Sequence, residues 1–167
     1  PLAIESNFFS RIAEAPKSSI KVGASYDETS RKMLISPKIT FKANASGSYK
    51  MAVVIVEDSV TGTASGYAQA NYYAGGANGP MGGYENLPST VPASQMVYNH
   101  VARTIFNSFT GAAGSVPASN AAGSTVTFNS TYTHPTSQDV TQMHAVTMLI
   151  DMGTGEIVNA EETPVPF

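Results

Sequence analysis

The 167-residue chain carries nine Lys and Arg against twelve Asp and Glu, a net charge of −3 without a basic stripe, which excludes the electrostatic footprint of a nucleic-acid binder. It has no cysteine, so a disulfide framework, a thiolate metal site and a Cys nucleophile are excluded, and stability has to come from packing. Charged residues make up only 13%, about half the usual ~25%, and Ser, Thr, Asn and Gly replace them, a bias that favours an all-β fold over helices with charged outer faces.

A chain of this length can bury roughly 70% of the surface its unfolded form exposes, enough for one self-sufficient core. The longest apolar run, Met51 to Val56, falls far short of the ~20 residues that cross a bilayer as a helix. The sequence opens at Pro1 without an initiator Met or a signal sequence, which suggests a trimmed polypeptide or a fragment, so the lack of a targeting segment says nothing about the native precursor.

Ile4, Phe8, Phe9 and Ile12 recur at helical spacing, with Ser6 as an N-cap and Pro16 ending the pattern. Residues 1–18 are therefore a short helix, Asn7 to Ala15, or a linker from a preceding domain, and 19–167 form the main domain. From Ser19 to Ser25, Ile20, Val22 and Ala24 alternate with small or charged residues, the period of a half-buried strand, and Asp27-Glu28 supplies the turn. Lys32 to Ala43 alternates again, but Pro37 cannot donate to a ladder, so this strand is expected at an edge or with a bulge. Tyr49 to Asp58 is continuously apolar and β-branched over Met51-Ala-Val-Val-Ile-Val56, as in a central strand covered on both faces.

Between Thr61 and Val91 the chain is rich in Gly, Ala, Asn and Tyr, and a loop of that length in a compact domain is commonly functional. Met96 to Phe109 fits either a helix from Ser94 to Gly111 or a strand; its β-branched residues favour the strand. Ser124 to Thr133 and His144 to Met152 alternate as strands, and Gly153-Thr-Gly155 joins the latter to Glu156 to Glu161 in a hairpin. About seven strands with turns between them and almost no helix predict a two-sheet antiparallel β-sandwich.

The chemistry in the chain is sparse. His100, His134 and His144 show no short-range metal-ligand spacing, and no Gly-x-Ser-x-Gly elbow is present, so no catalytic, cofactor or metal residue is assigned; a hydrolase or metal-dependent enzyme around His100 and His144 stays as an alternative. The pairs Asp27-Glu28, Glu57-Asp58 and Glu161-Glu162 are expected at strand ends, serving turns and solvation. Gly75 to Gly83 lacks a following Lys-Ser/Thr and so argues against phosphate binding. Tyr67, Tyr72, Tyr73 and Tyr84 on this Gly-rich loop either pack back onto the sandwich or form a surface for protein or sugar contacts, a composition like that of antibody loops. Asn99, His100 and Arg103 sit among apolar residues, and a buried cluster with Glu57 or Asp58 is expected there, with a binding role as the alternative.

These residues carry a resemblance. Tyr98-Asn99-His100-Val101-Ala102-Arg103 is similar to the His-Asn-His-Val-Leu-Arg run of the twenty-eight-kilodalton outer-membrane lipoprotein family of Gram-negative gut and oral bacteria, with Tyr98 and Ala102 as departures. Val53 to Asp58 resembles that family's apolar strand ending in Glu-Asp, and His144 to Ala160 its closing hairpin. The resemblance implies an immunoglobulin-like sandwich that in many members follows a thioredoxin-like domain, a place in the cell envelope, outer membrane or cell surface, with a lipid anchor outside this chain, and no catalytic residues. It leaves two non-enzymatic readings: a surface module binding a protein or glycan, for adhesion, and a structural spacer that positions a thioredoxin-like partner. Because Tyr98 replaces the family's first His, any role needing both histidines does not carry over.

Overall fold

The computed structural model describes residues 2–106 and 108–166; Pro1, Asn107 and Phe167 lie outside it. The elements in order are helix α1 (Leu2–Ile12) and strands β1 (Ser18–Asp27), β2 (Lys32–Phe41), β3 (Ala45–Ser46), β4 (Tyr49–Glu57), β5 (Gln69–Ala70), β6 (Thr90–Val91), β7 (Val101–Ile105), β8 (Ser119–Asn120), β9 (Thr125–Thr127), β10 (Ser130–Thr133), β11 (Met143–Asp151) and β12 (Glu156–Pro164). The chain forms two compact units, one of Pro1–Val56 with Ala102–Phe167 and one of Glu57–Val101.

The first unit is the all-β sandwich that the alternation predicts. One sheet runs β1-β2-β10, with β9 also paired to β2; the other runs β12-β11-β4-β7. Successive side chains on a strand point to opposite faces. On β2 the odd-numbered residues Met33, Ile35, Ile39 and Phe41 therefore turn inward and are buried, while Leu34 sits on the outer face. They meet Met51, Val53 and Ile55 of β4 and Met143, Ala145 and Leu149 of β11 in two adjoining apolar clusters. Each of the larger of these side chains, Val, Leu, Ile, Met or Phe, contributes about 1.5–3 kcal/mol of transfer free energy when fully buried. Seven long strands result if β9 and β10 are counted as one strand broken at Phe128-Asn129. Among the described residues no helix is long and apolar enough to cross a membrane.

The central position expected for β4 holds: it lies between β11 and β7, and Met51 to Glu57 are all buried. The expectation for Pro37 does not. β2 is an interior strand, in unbroken register with β1 from Ser18↔Phe41 to Asp27↔Lys32. The proline is accommodated by its other neighbour. The Pro37 carbonyl accepts from Phe128 N–H at 3.2 Å, so its missing donor faces that same side, where β9 and β10 part. The Ser36 hydroxyl bonds Asn129 Oδ1 across this break at 2.8 Å.

Other departures are local. The helix starts earlier than Asn7 and ends at Ile12, leaving Phe8, Phe9 and Ile12 more than half exposed. Among the described residues of Met96 to Phe109, strand β7 covers Val101–Ile105. Glu161 and Glu162 lie inside β12, opposite Thr147 and Val146, rather than at its end, and Glu162 reaches the ring of His144 at 3.1 Å. Asp27 does serve its turn, accepting from Thr29 and Ser30 N–H and from the Ser30 hydroxyl, and these bonds, the Ser30 hydroxyl foremost, hold its carboxyl below the usual range. Between β7 and β8 the chain runs along the start of β4. Met51 N–H donates to Ser115 Oγ at 2.8 Å and its carbonyl accepts from Ala112 N–H at 2.8 Å. Gly111 makes this approach feasible: at φ +80°, a Cβ there would lie 2.8 Å from the Met51 carbonyl oxygen.

Candidate functional site

Glu57–Val101, inserted between β4 and β7, contains the Gly/Tyr-rich stretch and most of the polar residues singled out from the sequence. Its two ends are clasped together. Val60 and Tyr98 exchange both backbone hydrogen bonds at 2.9 Å, Asn99 Oδ1 accepts from Ser59 N–H at 3.0 Å, and Asp58 accepts from His100 N–H at 2.6 Å with the His100 ring Nδ1 3.2 Å away. Ser59 and His100 both sit at positive φ, 57° and 54°, conformations that cost L-residues about 1–3 kcal/mol and persist where side-chain acceptors hold them. Asp58 thus pairs with His100 as expected, but on the surface: Asn99 and His100 are exposed, while Arg103 is half-buried on β7 and Glu57 is buried. The apolar flanks of Asn99 and His100 resemble a burial signal in the sequence. Short-range turn chemistry at Asp58 and Asn99 decided otherwise.

The four tyrosines divide. Tyr67 is structural: its carbonyl accepts from the Tyr98 hydroxyl at 2.8 Å, the two rings lie 6.3 Å apart, and Gly62 packs against the Tyr67 ring so closely that a Cβ would stand 2.4 Å from it. Tyr72, Tyr73 and Tyr84 instead line a shallow, mostly apolar cup of about 210 Å³ with Ala70, Asn71 and Met81. Tyr72 is 84% exposed and Tyr84 39%.

β5 and β6 pair antiparallel and close the loop 71–89, with Ala70 of β5 in the lining of the cup. Asn71, buried, organises the loop: its amide nitrogen donates to the carbonyls of Tyr84 at 2.7 Å and Pro88 at 3.2 Å, its side-chain oxygen accepts from Tyr73 N–H at 3.1 Å, and its own N–H donates to Ser89 at 2.8 Å. Glu85 supports the other rim, accepting from the N–H groups of Met81 at 2.8 Å and Gly83 at 3.1 Å. The Met81 N–H, then those of Glu85 itself and Gly83, hold the Glu85 carboxyl below the ordinary glutamate range. Neither Asn71 nor Glu85 was singled out from the sequence. The available signal was that Glu85 is the single acidic residue between Ser59 and Val101.

The three histidines have separate neighbours: Asp58 for His100, Glu162 for His144, and for His134 the guanidinium of Arg31, 3.3 Å from Nδ1, with the Tyr26 ring edge-on. Among the described residues no group of three or more His, Asp or Glu could hold a metal ion. A larger cleft of about 600 Å³ lies between the end of α1 and the β11–β12 hairpin, where Arg11 bonds Glu156.

A family model described as Outer membrane protein Omp28 matches residues 3–165. The chain belongs to the Omp28 family. Membership places it in the outer membrane or cell envelope. The fold is shared with the crystal structure of a domain of the outer membrane lipoprotein Omp28 from Porphyromonas gingivalis, at 15% identity and a TM-score of 0.51, over 91% of this chain and 90% of that one. A search of curated proteins gives no match. The stretch Tyr98–Arg103, which resembled this family in sequence, forms the clasp and the first residues of β7.

Proposed function

We propose that this Omp28-family chain is a non-enzymatic module of the cell envelope that binds a protein or glycan at the cell surface through the inserted unit Glu57–Val101. One observation carries the reading: three tyrosines and a methionine are gathered around an open cup on a hydrogen-bonded, Gly-rich frame. Exposed aromatic rings held in place are what binding loops present, because they offer large contact area at low entropy cost. The immunoglobulin-like reading of the scaffold is supported by strand order. With β1, β2 and β9/β10 as strands A, B and E, and β4, β7, β11 and β12 as C, C′, F and G, the two sheets run A-B-E and G-F-C-C′. The binding unit is then an enlarged C–C′ connection.

The test compares the labelled chain with its Tyr72→Ala/Tyr84→Ala variant for retention on a glycan array and on surface-protein extracts. Retention by the native chain that the variant loses supports the reading. Equal retention of both, or turnover in a hydrolase screen, overturns it.

A second reading, a spacer positioning a neighbouring thioredoxin-like domain, is favoured by the stripe of Ile4, Phe8, Phe9 and Ile12 on α1, each 56–78% exposed. Hydrogen exchange on the full-length native polypeptide tests it. Phe8→Ser with Phe9→Ser should release protection along α1 if a neighbouring domain covers this face, and an unchanged pattern rejects the spacer role.

A further inference from the structure

The charge of the chain is distributed unevenly. Glu57–Val101 contains three carboxylates, Glu57, Asp58 and Glu85, and no Lys or Arg, so the remaining nine acidic and nine basic residues balance and the whole net charge of −3 resides in this unit. Glu57 is buried and Asp58 faces His100, which leaves Glu85 as the carboxylate on the Gly/Tyr-rich loop, and an acidic group not balanced by nearby cations raises the local concentration of cationic ligands. Within the unit, Glu85 is the carboxylate joined to the cup, through its bond to Met81 N–H and its place next to Tyr84.

The cup itself limits what fits. At about 210 Å³ it is smaller than the ~300–1,000 Å³ of pockets that enclose a whole small ligand, so it takes a single side chain or one ring. A sugar ring needs several converging donors and acceptors. Asn71, the side-chain amide of the lining, already spends its nitrogen on the Tyr84 and Pro88 carbonyls and its oxygen on Tyr73 N–H. What remains in the lining is the rings of Tyr72, Tyr73 and Tyr84 and the polarisable side chain of Met81, and outside it the carboxylate of Glu85, held against the Met81 N–H at 2.8 Å. Aromatic faces attract cations, and a carboxylate beside them supplies the counter-charge.

Resting on the proposed binding role of this unit, we infer that the Tyr72–Tyr73–Tyr84 cup with Glu85 at its rim is a cation cage for an arginine side chain of a basic protein segment. A guanidinium combines the flat face that stacks on phenol rings with the charge that Glu85 complements.

The experiment titrates the full chain with acetyl-Gly-Arg-Gly-Arg-Gly-amide and with its uncharged citrulline counterpart, following the ring resonances of Tyr72, Tyr73 and Tyr84 at low and high salt, with methyl glucoside as a third probe. The expected result is about 10-fold tighter binding of the arginine peptide, consistent with cation–π values for a partly desolvated site, and weakening by salt. Glu85→Gln, which keeps an acceptor for the loop, should remove most of the arginine preference. Tyr72→Ala, at an exposed position, should weaken arginine binding about 10-fold while leaving the amide spectrum of the sandwich unchanged. Equal affinity for both peptides, a preference for methyl glucoside, or shifts outside the cup overturn the inference. If surface ligands are still lost on Tyr72→Ala in that event, the cage falls and the binding module stands. If they are not, the binding reading falls as well.

Discussion

Thr147 points its side chain into the middle of the sandwich from β11, fully buried, and among the described residues its hydroxyl has no hydrogen-bond partner. A buried hydroxyl of this kind loses its water without recompense, so Thr147→Val, nearly isosteric, should raise stability by about 1 kcal/mol. Ser115 is the converse. Its hydroxyl accepts from Met51 N–H and donates to the Ala112 carbonyl, so Ser115→Ala strands a buried donor of the central strand and should cost about 1–3 kcal/mol. Urea unfolding with an unchanged slope checks both, and the signs should be opposite. At this scale the sequence was informative about character and silent about partners. Thr147 falls within the alternating series His144 to Met152, and nothing in 110–116 announced that a serine in a small-residue loop would bond the backbone of Met51.

At the scale of elements, the long strands were legible because their period is 2 and their inner residues are Met, Ile, Leu and Val, as in β1, β2, β4, β11 and β12. The inserted loop was not, because its order comes from single polar residues bonding to backbone. Asn71→Ala should leave the carbonyls of Tyr84 and Pro88 without that donor and speed amide exchange at Tyr73 and Ser89, while the global unfolding midpoint stays put, since the effect is confined to the loop. Glu85 sets a pH dependence. Its folded carboxyl titrates below the ordinary range, so its contribution to loop order is fully present above the unfolded value and is lost as pH falls through the folded one. The amides of Met81 and Gly83 should therefore shift together at a midpoint below that of an ordinary glutamate in an NMR titration. Midpoints at the ordinary value would reject that role. Pro37 belongs here too: a proline in an alternating run reads as an edge, and only the gap between β9 and β10 makes an interior position acceptable.

For the whole molecule, the residues named in the two apolar clusters, among the described residues, belong to the sandwich unit. The sandwich should accordingly fold without the insert. Val60 and Tyr98 pair antiparallel, so replacing residues 61–97 by Asn-Gly closes the clasp with a two-residue turn. The excised chain is expected to unfold in one cooperative transition with its melting temperature near that of the native chain, and to lose retention on surface ligands. A molten, non-cooperative product would show that the insert is required for the core.

The sequence by itself determined the all-β class, the central apolar strand, the closing hairpin and the family, because hydrophobic period, turn residues and missing charge are local properties written along the chain. Tertiary structure alone decided which tyrosines face solvent, that Asp58, Asn99 and His100 form a clasp, and that Asn71 and Glu85 hold the cup. Those outcomes depend on hydrogen bonds between a side chain and a backbone group up to 42 residues away, and no periodicity encodes which distant N–H or carbonyl a polar side chain will meet.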